Sequence, residues 1–166
     1  MPTKRTNPKL IIAALALIVA GLLAFRFLMP ANCSALLQDA KIVNIHVTEA
    51  IVVIEPGFRH HQAVFETGER ELIELKNLFT EYNCFYTLNK QGKLHLDQYH
   101  VQVDDAALSF HITVSDGENT RYFTIGGKYI VSGENVWRIG LSKQKAEDFQ
   151  LRLYEFVMEH QEAVDE

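Results

Sequence analysis

The sequence predicts an α+β protein: an N-terminal transmembrane helix followed by a mostly antiparallel β-sheet domain with two packed α-helices. Three observations carry this. Leu10 to Met29 (LIIAALALIVAGLLAFRFLM) is an almost unbroken apolar run of 20 residues, which as a helix rises roughly 30 Å, the thickness of a bilayer's hydrocarbon core. Between Lys41 and Gly140, short alternating segments are separated by turn residues at close spacing. Two other stretches, Thr67 to Tyr82 and Ser142 to His160, place their apolar residues at helical spacing instead.

The apolar run reads as an uncleaved signal anchor. A secretory signal has a hydrophobic stretch of roughly 7 to 15 residues and a small-x-small cleavage site. Here Leu10 to Phe25 is already 16 apolar residues, and cleavage after Ala31 would put the large Met29 at the −3 position. Cys33 follows Pro30, Ala31 and Asn32, which is not the small-residue context of a lipidated cysteine. Arg26, near the outer end, can snorkel to the interface. Lys4, Arg5 and Lys9 precede the run and the next cation after Arg26 is Lys41, so the charge bias puts the N-terminus in the cytoplasm. The expected organisation is a cytoplasmic leader at 1–9, the membrane helix at 10–29, a connector at 30–40, an extracytoplasmic α+β domain at 41–160 and an acidic tail at 161–166.

Within the domain, Val43, Ile45 and Val47 alternate with Asn44, His46 and Thr48, the mark of a half-buried strand. Ile51 to Ile54 is continuously apolar and reads either as a second, more buried strand or as a continuation of the first past a bulge near Glu49 and Ala50. Pro56 and Gly57 mark a turn, and His61 to Phe65 reads as a further strand. Thr67 and Gly68 open a helix to about Tyr82, with Glu69 and Glu71 where the helix dipole favours acids and a stripe of Leu72, Leu75, Leu78, Phe79 and Tyr82.

A meander follows: Phe85 to Leu88, Lys93 to Leu96, Tyr99 to Val103, Leu108 to Ser115, Arg121 to Ile125, Tyr129 to Val131 and Val136 to Ile139. Leu108, Phe110, Ile112 and Val114 form its clearest inward row. Gly126-Gly127 reads as a two-residue hairpin turn. Ser142 caps the last helix, whose Ala146, Phe149, Leu153, Phe156 and Val157 face the core. Asp104 and Asp105, being adjacent in a strand, point to opposite faces and make no carboxylate pair.

Composition narrows the function classes. Beyond the anchor the chain holds 12 Lys and Arg against 21 Asp and Glu, a net charge of −9. That argues against nucleic acid and anionic headgroups, both of which are bound by clustered cations. Dinucleotide, P-loop, C-x-x-C, H-E-x-x-H and G-x-S-x-G motifs are absent from the sequence. Asn32-Cys33-Ser34 fits the N-glycosylation pattern, next to the membrane.

Four groups of residues carry chemistry that can be weighed. Cys33 and Cys84, the only cysteines, leave a disulfide and two free thiols equally open; a bridge would contribute about 4 kcal/mol in the chain-entropy model. His46, His95, His100 and His111 each fall on the outward phase of a predicted strand, where imidazoles can bind metal or titrate together, or simply serve as polar residues on a wet face. His60 and His61, beside Arg59, read as loop residues with the same bland alternative. Ser142-Lys143-Gln144-Lys145 matches the S-x-x-K of serine acyl enzymes, and Ser115-Asp116-Gly117 echoes their second motif, but in the wrong order and in too small a domain, so Ser142 reads as a helix cap. No cofactor is expected.

From the first long helix onward (ELIELKNLF, alternating strands, GGKYIVSGENVWRI and a final helix, spanning Glu69 to Val157) the layout resembles small extracytoplasmic domains of unknown function that follow one membrane anchor or lipoprotein signal in Gram-positive bacteria. The resemblance implies no reaction and no functional residues. The sequence therefore predicts a non-catalytic, membrane-anchored interaction or accessory module of the cell envelope. Its expected partners are the membrane and a neighbouring protein, met at an exposed hairpin edge carrying Tyr129 and Trp137. The alternatives are a ligand, metal or pH sensor using the histidine face and an envelope serine hydrolase centred on Ser142.

Overall fold

Alternation sets the sheet. In the computed structural model, which describes residues 8–51, 57–87, 102–103 and 106–161, β2 (Ile42–Ile51) buries Val43, Ile45 and Val47 and turns Asn44, His46 and Thr48 to the opposite face. It pairs antiparallel with β3 (Gly57–Glu66) on one side and with β6 (Ala106–Ser115) on the other, in register along all ten residues. Both ladders run unbroken through Glu49 and Ala50, so there is no bulge, and Ile51 belongs to β2. Residues 52–56 lie outside the described residues. β3 is longer than the expected His61 to Phe65 because its pairing with β2 carries it back to Gly57.

The other strands are β1 (Ala31–Asn32), β4 (Asn83–Tyr86), β5 (Gln102–Val103), β7 (Thr120–Gly126), β8 (Tyr129–Ser132) and β9 (Asn135–Ile139). Among the described residues they form one nine-stranded antiparallel sheet in the order β1-β4-β9-β8-β7-β6-β2-β3, with β5 beside β6. The predicted strand Lys93 to Leu96 and most of Tyr99 to Val103 lie outside the described residues.

Helices α2 (Arg70–Thr80) and α3 (Lys143–His160) cover one face. Leu72, Leu75, Leu78 and Phe79 of α2 and Phe149, Leu153 and Val157 of α3 share a core with Val43, Ile45, Phe110, Ile112 and Ile125 of the strands. Gly68, at φ 99°, makes the turn that ends β3 and lets α2 begin only at Arg70. The connector is part of this core: its short 3-10 turn, Cys33–Leu37, buries Cys33, Leu37 and then Ala40. Cys33 is disulfide-bonded to Cys84, with the two Cα atoms 5.3 Å apart.

Ahead of β1 lies α1 (Pro8–Leu28), 21 residues of helix, about 31 Å long. Its side chains at 11–25 are all exposed, so the domain does not cover them. That described stretch rises only about 22 Å, and among the described residues no helix is long and apolar enough to cross a membrane.

Candidate functional site

Residues directly opposed across antiparallel strands share a face, so the register assembles the surface turned away from α2 and α3. His46 faces Gln62 of β3 and His111 of β6, and His111 in turn faces Thr124 of β7. One step along, Thr48 stands between His60 and Ser109. His46 and His60, diagonal neighbours on two adjacent strands, approach to 3.2 Å between Nε2 and Nδ1, with their rings stacked at a centroid distance of 5.1 Å. Thr48 Oγ1 lies 3.4 Å from the same Nδ1 of His60. His111 sits between Thr124 Oγ1 at 3.3 Å and Ser109 Oγ at 3.5 Å.

Partial burial, together with the positive charge that His60, His111 and His61 would bring, lowers the pKa of His46. The imidazole therefore gives up its proton at a lower pH than an unperturbed histidine. Two aromatic side chains border the cluster, Phe58 at 71% and Tyr122 at 67% exposure. An open groove of about 250 Å³ runs from His111 past Tyr122 and Thr124 to Gly133. Among the described residues, no three histidine, cysteine or acidic side chains stand close enough to form a ready-made metal centre.

Of the four histidines that the alternation places outward, His46 and His111 do share this face, while His95 and His100 lie outside the described residues. His60 and His61 are strand residues rather than loop residues, and they separate. His60 joins His46, whereas His61 turns to the helix-covered face with Ala63 and Phe65.

On that covered face stands a second polar cluster that the sequence pattern missed. Glu49 is only 4% exposed. Tyr154 of α3 donates its hydroxyl hydrogen to Glu49 Oε1 at 2.6 Å. His61 Nε2 comes within 2.9 Å of the same oxygen, an ion-pair distance, although its angle does not make a hydrogen bond. Arg59 Nη1 is 3.8 Å from Oε2, and His61 Nδ1 meets Gln161 Oε1 at 2.9 Å. Glu49 continues the inward phase of Val43, Ile45 and Val47, which is the signal that would have found it.

The remaining candidates have structural work. Ser142 Oγ accepts from the backbone N–H of Lys145 at 3.2 Å, so the S-x-x-K motif is an N-cap. Asp116 likewise accepts the N–H groups of Glu118 and Asn119 in the β6–β7 turn, which lowers its pKa. Tyr82 donates to Asp148 Oδ2 at 2.6 Å and receives Arg152 Nη1 at 3.1 Å, while Arg152 also grips Glu81, clasping the end of α2 to α3.

Tyr129 and Trp137, both half-buried, fall on opposite faces of the sheet. Trp137 pairs with Ile130 and packs on the core, whereas Tyr129 pairs with Gly126 and Arg138 and so points to the other face. Their hairpin is no edge either, because β4 lies outside β9. Short turns made the hairpin look peripheral, and long-range pairing with residues 84–86 places it inside the sheet. Comparison with protein-family models, characterised proteins and solved structures finds no match.

Proposed function

We propose that the protein is a membrane-anchored accessory domain of the cell envelope that binds a neighbouring protein by strand addition along β3, without catalysis. The single observation that carries this is the β3 edge. β3 is ten residues long and, among the described residues, pairs with a strand on one side only. The N–H of Glu66 turns away from β2 and is taken by Glu69 Oε2 at 2.7 Å, while the next bond of the ladder runs from Thr67 N–H to Lys41 O. Antiparallel alternation then directs the main-chain groups of Val64, Gln62, His60 and Phe58 outward. Such an edge is a template for an extended segment, the mode called β-augmentation.

Two features support the envelope setting. A helix that is apolar all round is stable when covered by a protein core or by lipid, and the domain leaves residues 11–25 of α1 exposed. Lys4, Arg5 and Lys9 before that helix fit an N-terminus-inside orientation, with the domain extracytoplasmic. The Cys33–Cys84 disulfide fits an oxidising compartment.

A photo-cross-linking residue at Gln62, activated in intact membranes and read by mass spectrometry, tests the reading. The expected result is an adduct with one envelope protein. It should vanish when Val64→Pro removes an outward-facing N–H without touching the β2 ladder. Recovery of monomer alone, or an adduct indifferent to the proline, sinks the proposal. Release of the chain from membranes by alkaline carbonate would separately refute the anchor.

A further inference from the structure

We propose that His46 and His60 form a two-imidazole binding site for an exchangeable divalent transition-metal ion, with Cu²⁺ preferred over Zn²⁺. Two nitrogens bound at about 2.05 Å to one ion stand about 2.9 Å apart in the square-planar arrangement of Cu²⁺ and about 3.3 Å apart in a tetrahedral one. His46 Nε2 and His60 Nδ1 stand 3.2 Å apart already. Rotation of the exposed His60 ring and the half-buried His46 ring turns their lone pairs from facing one another to converging on a common point above the sheet. The backbone needs no change, since β2 and β3 hold both Cα atoms in a continuous ladder.

Two surrounding features favour a metal over a simple imidazole pair. Thr48 Oγ1, 3.4 Å from His60 Nδ1, is a neutral oxygen beside the vacant coordination positions. His111 lies opposite His46 on β6, with Thr124 Oγ1 at 3.3 Å and Ser109 Oγ at 3.5 Å from its ring nitrogens, and puts a third imidazole on the same face. Imidazole donors without thiolate suit Cu²⁺, Ni²⁺ and Zn²⁺, and stability rises toward copper. Both cysteines are in the disulfide, so no thiolate competes. With only two protein nitrogens the ion keeps water ligands and exchanges readily, which suits sensing or metal hand-over rather than a structural role.

The site stands on its own geometry and does not depend on strand addition at β3. The test is calorimetric titration of the full chain in detergent micelles with Cu²⁺ and with Zn²⁺, together with the electron paramagnetic resonance spectrum of the copper form. The expected result is one saturable site, micromolar for copper, with nitrogen hyperfine structure. Binding should weaken at least tenfold in His46→Ala and in His60→Gln, less in His111→Ala, and be unchanged in His160→Ala, with circular dichroism showing each variant folded. Absence of saturable binding overturns the site. So does binding that survives both His46→Ala and His60→Gln, or that depends on His95 or His100 instead.

Discussion

Tyr154 donates its hydroxyl hydrogen to Glu49 Oε1 across 2.6 Å, joining the last helix to the strand at the middle of the β3-β2-β6 ladder. The two residues are far apart in sequence, and their bond satisfies a carboxylate that the inward phase of β2 carries into the core. A buried acid needs such partners, because the desolvation it suffers is otherwise uncompensated.

Tyr154→Phe removes the hydroxyl and keeps the ring. Glu49 then retains the off-line approach of His61 and the distant Arg59, so unfolding by urea should report a loss of about 1 to 3 kcal/mol. Replacing both partners, Glu49→Leu with Tyr154→Phe, should recover part of that loss, since the carboxylate and the hydroxyl go together and only His61 Nε2 loses its ion-pair partner inside the domain. A double variant that is as unstable as Tyr154→Phe would contradict this.

The disulfide ties the connector to β4 across a sequence separation of 51. Removing it by Cys33→Ala with Cys84→Ala should cost roughly 2 to 5 kcal/mol, chiefly by freeing the unfolded chain. Thermal unfolding with and without reductant should show the same drop for the native chain and none for the double variant.

His46 gives the protein a pH dependence of definite sign. Its folded pKa lies below the ordinary value of 6.5 because of partial burial, followed by the repulsion from His60, His111 and His61 that its charged form would meet. Between those two values the unfolded chain binds more protons than the folded one, so folding weakens as the pH falls. Above 6.5 both states are neutral at this site and its contribution is flat. The melting temperature, followed from pH 8 to pH 5, should decline below about 6.5, and His46→Gln should flatten part of that decline.

Ser142→Ala should cost about 1 kcal/mol and nothing more, the ordinary price of losing an N-cap. Ser142→Asp should keep most of the stability, since a carboxylate caps as well and meets the helix dipole favourably. Reaction of Ser142 with an acylating serine probe would be the outcome at odds with a capping role.

Much of the architecture is legible in local pattern. The alternation of Val43, Ile45 and Val47, the row from Leu108 to Val114, and the stripes of the two domain helices each reflect a period set by backbone geometry, and all of them face one core. Ser142 as a cap was legible for the same reason: its bond reaches only three residues along the chain. Glu49 was less so, because an apolar run directly after it suggested a bulge that would have reversed its direction. Whether Cys33 and Cys84 meet was not legible at all, since the separation of two distant cysteines is a property of the fold.

The sequence by itself determined the inward rows of β2 and β6, where the domain helices lie and that a further helix precedes the domain, because periods of 2 and 3.6 residues and bulk hydrophobicity are local properties. The tertiary structure alone decided strand order. It enclosed the Tyr129 to Trp137 hairpin, left β3 at the edge, sent His60 and His61 to opposite faces and brought His46 within 3.2 Å of His60. Those outcomes depend on which strands pair and in what register, and pairing is settled by the packing of residues many positions apart.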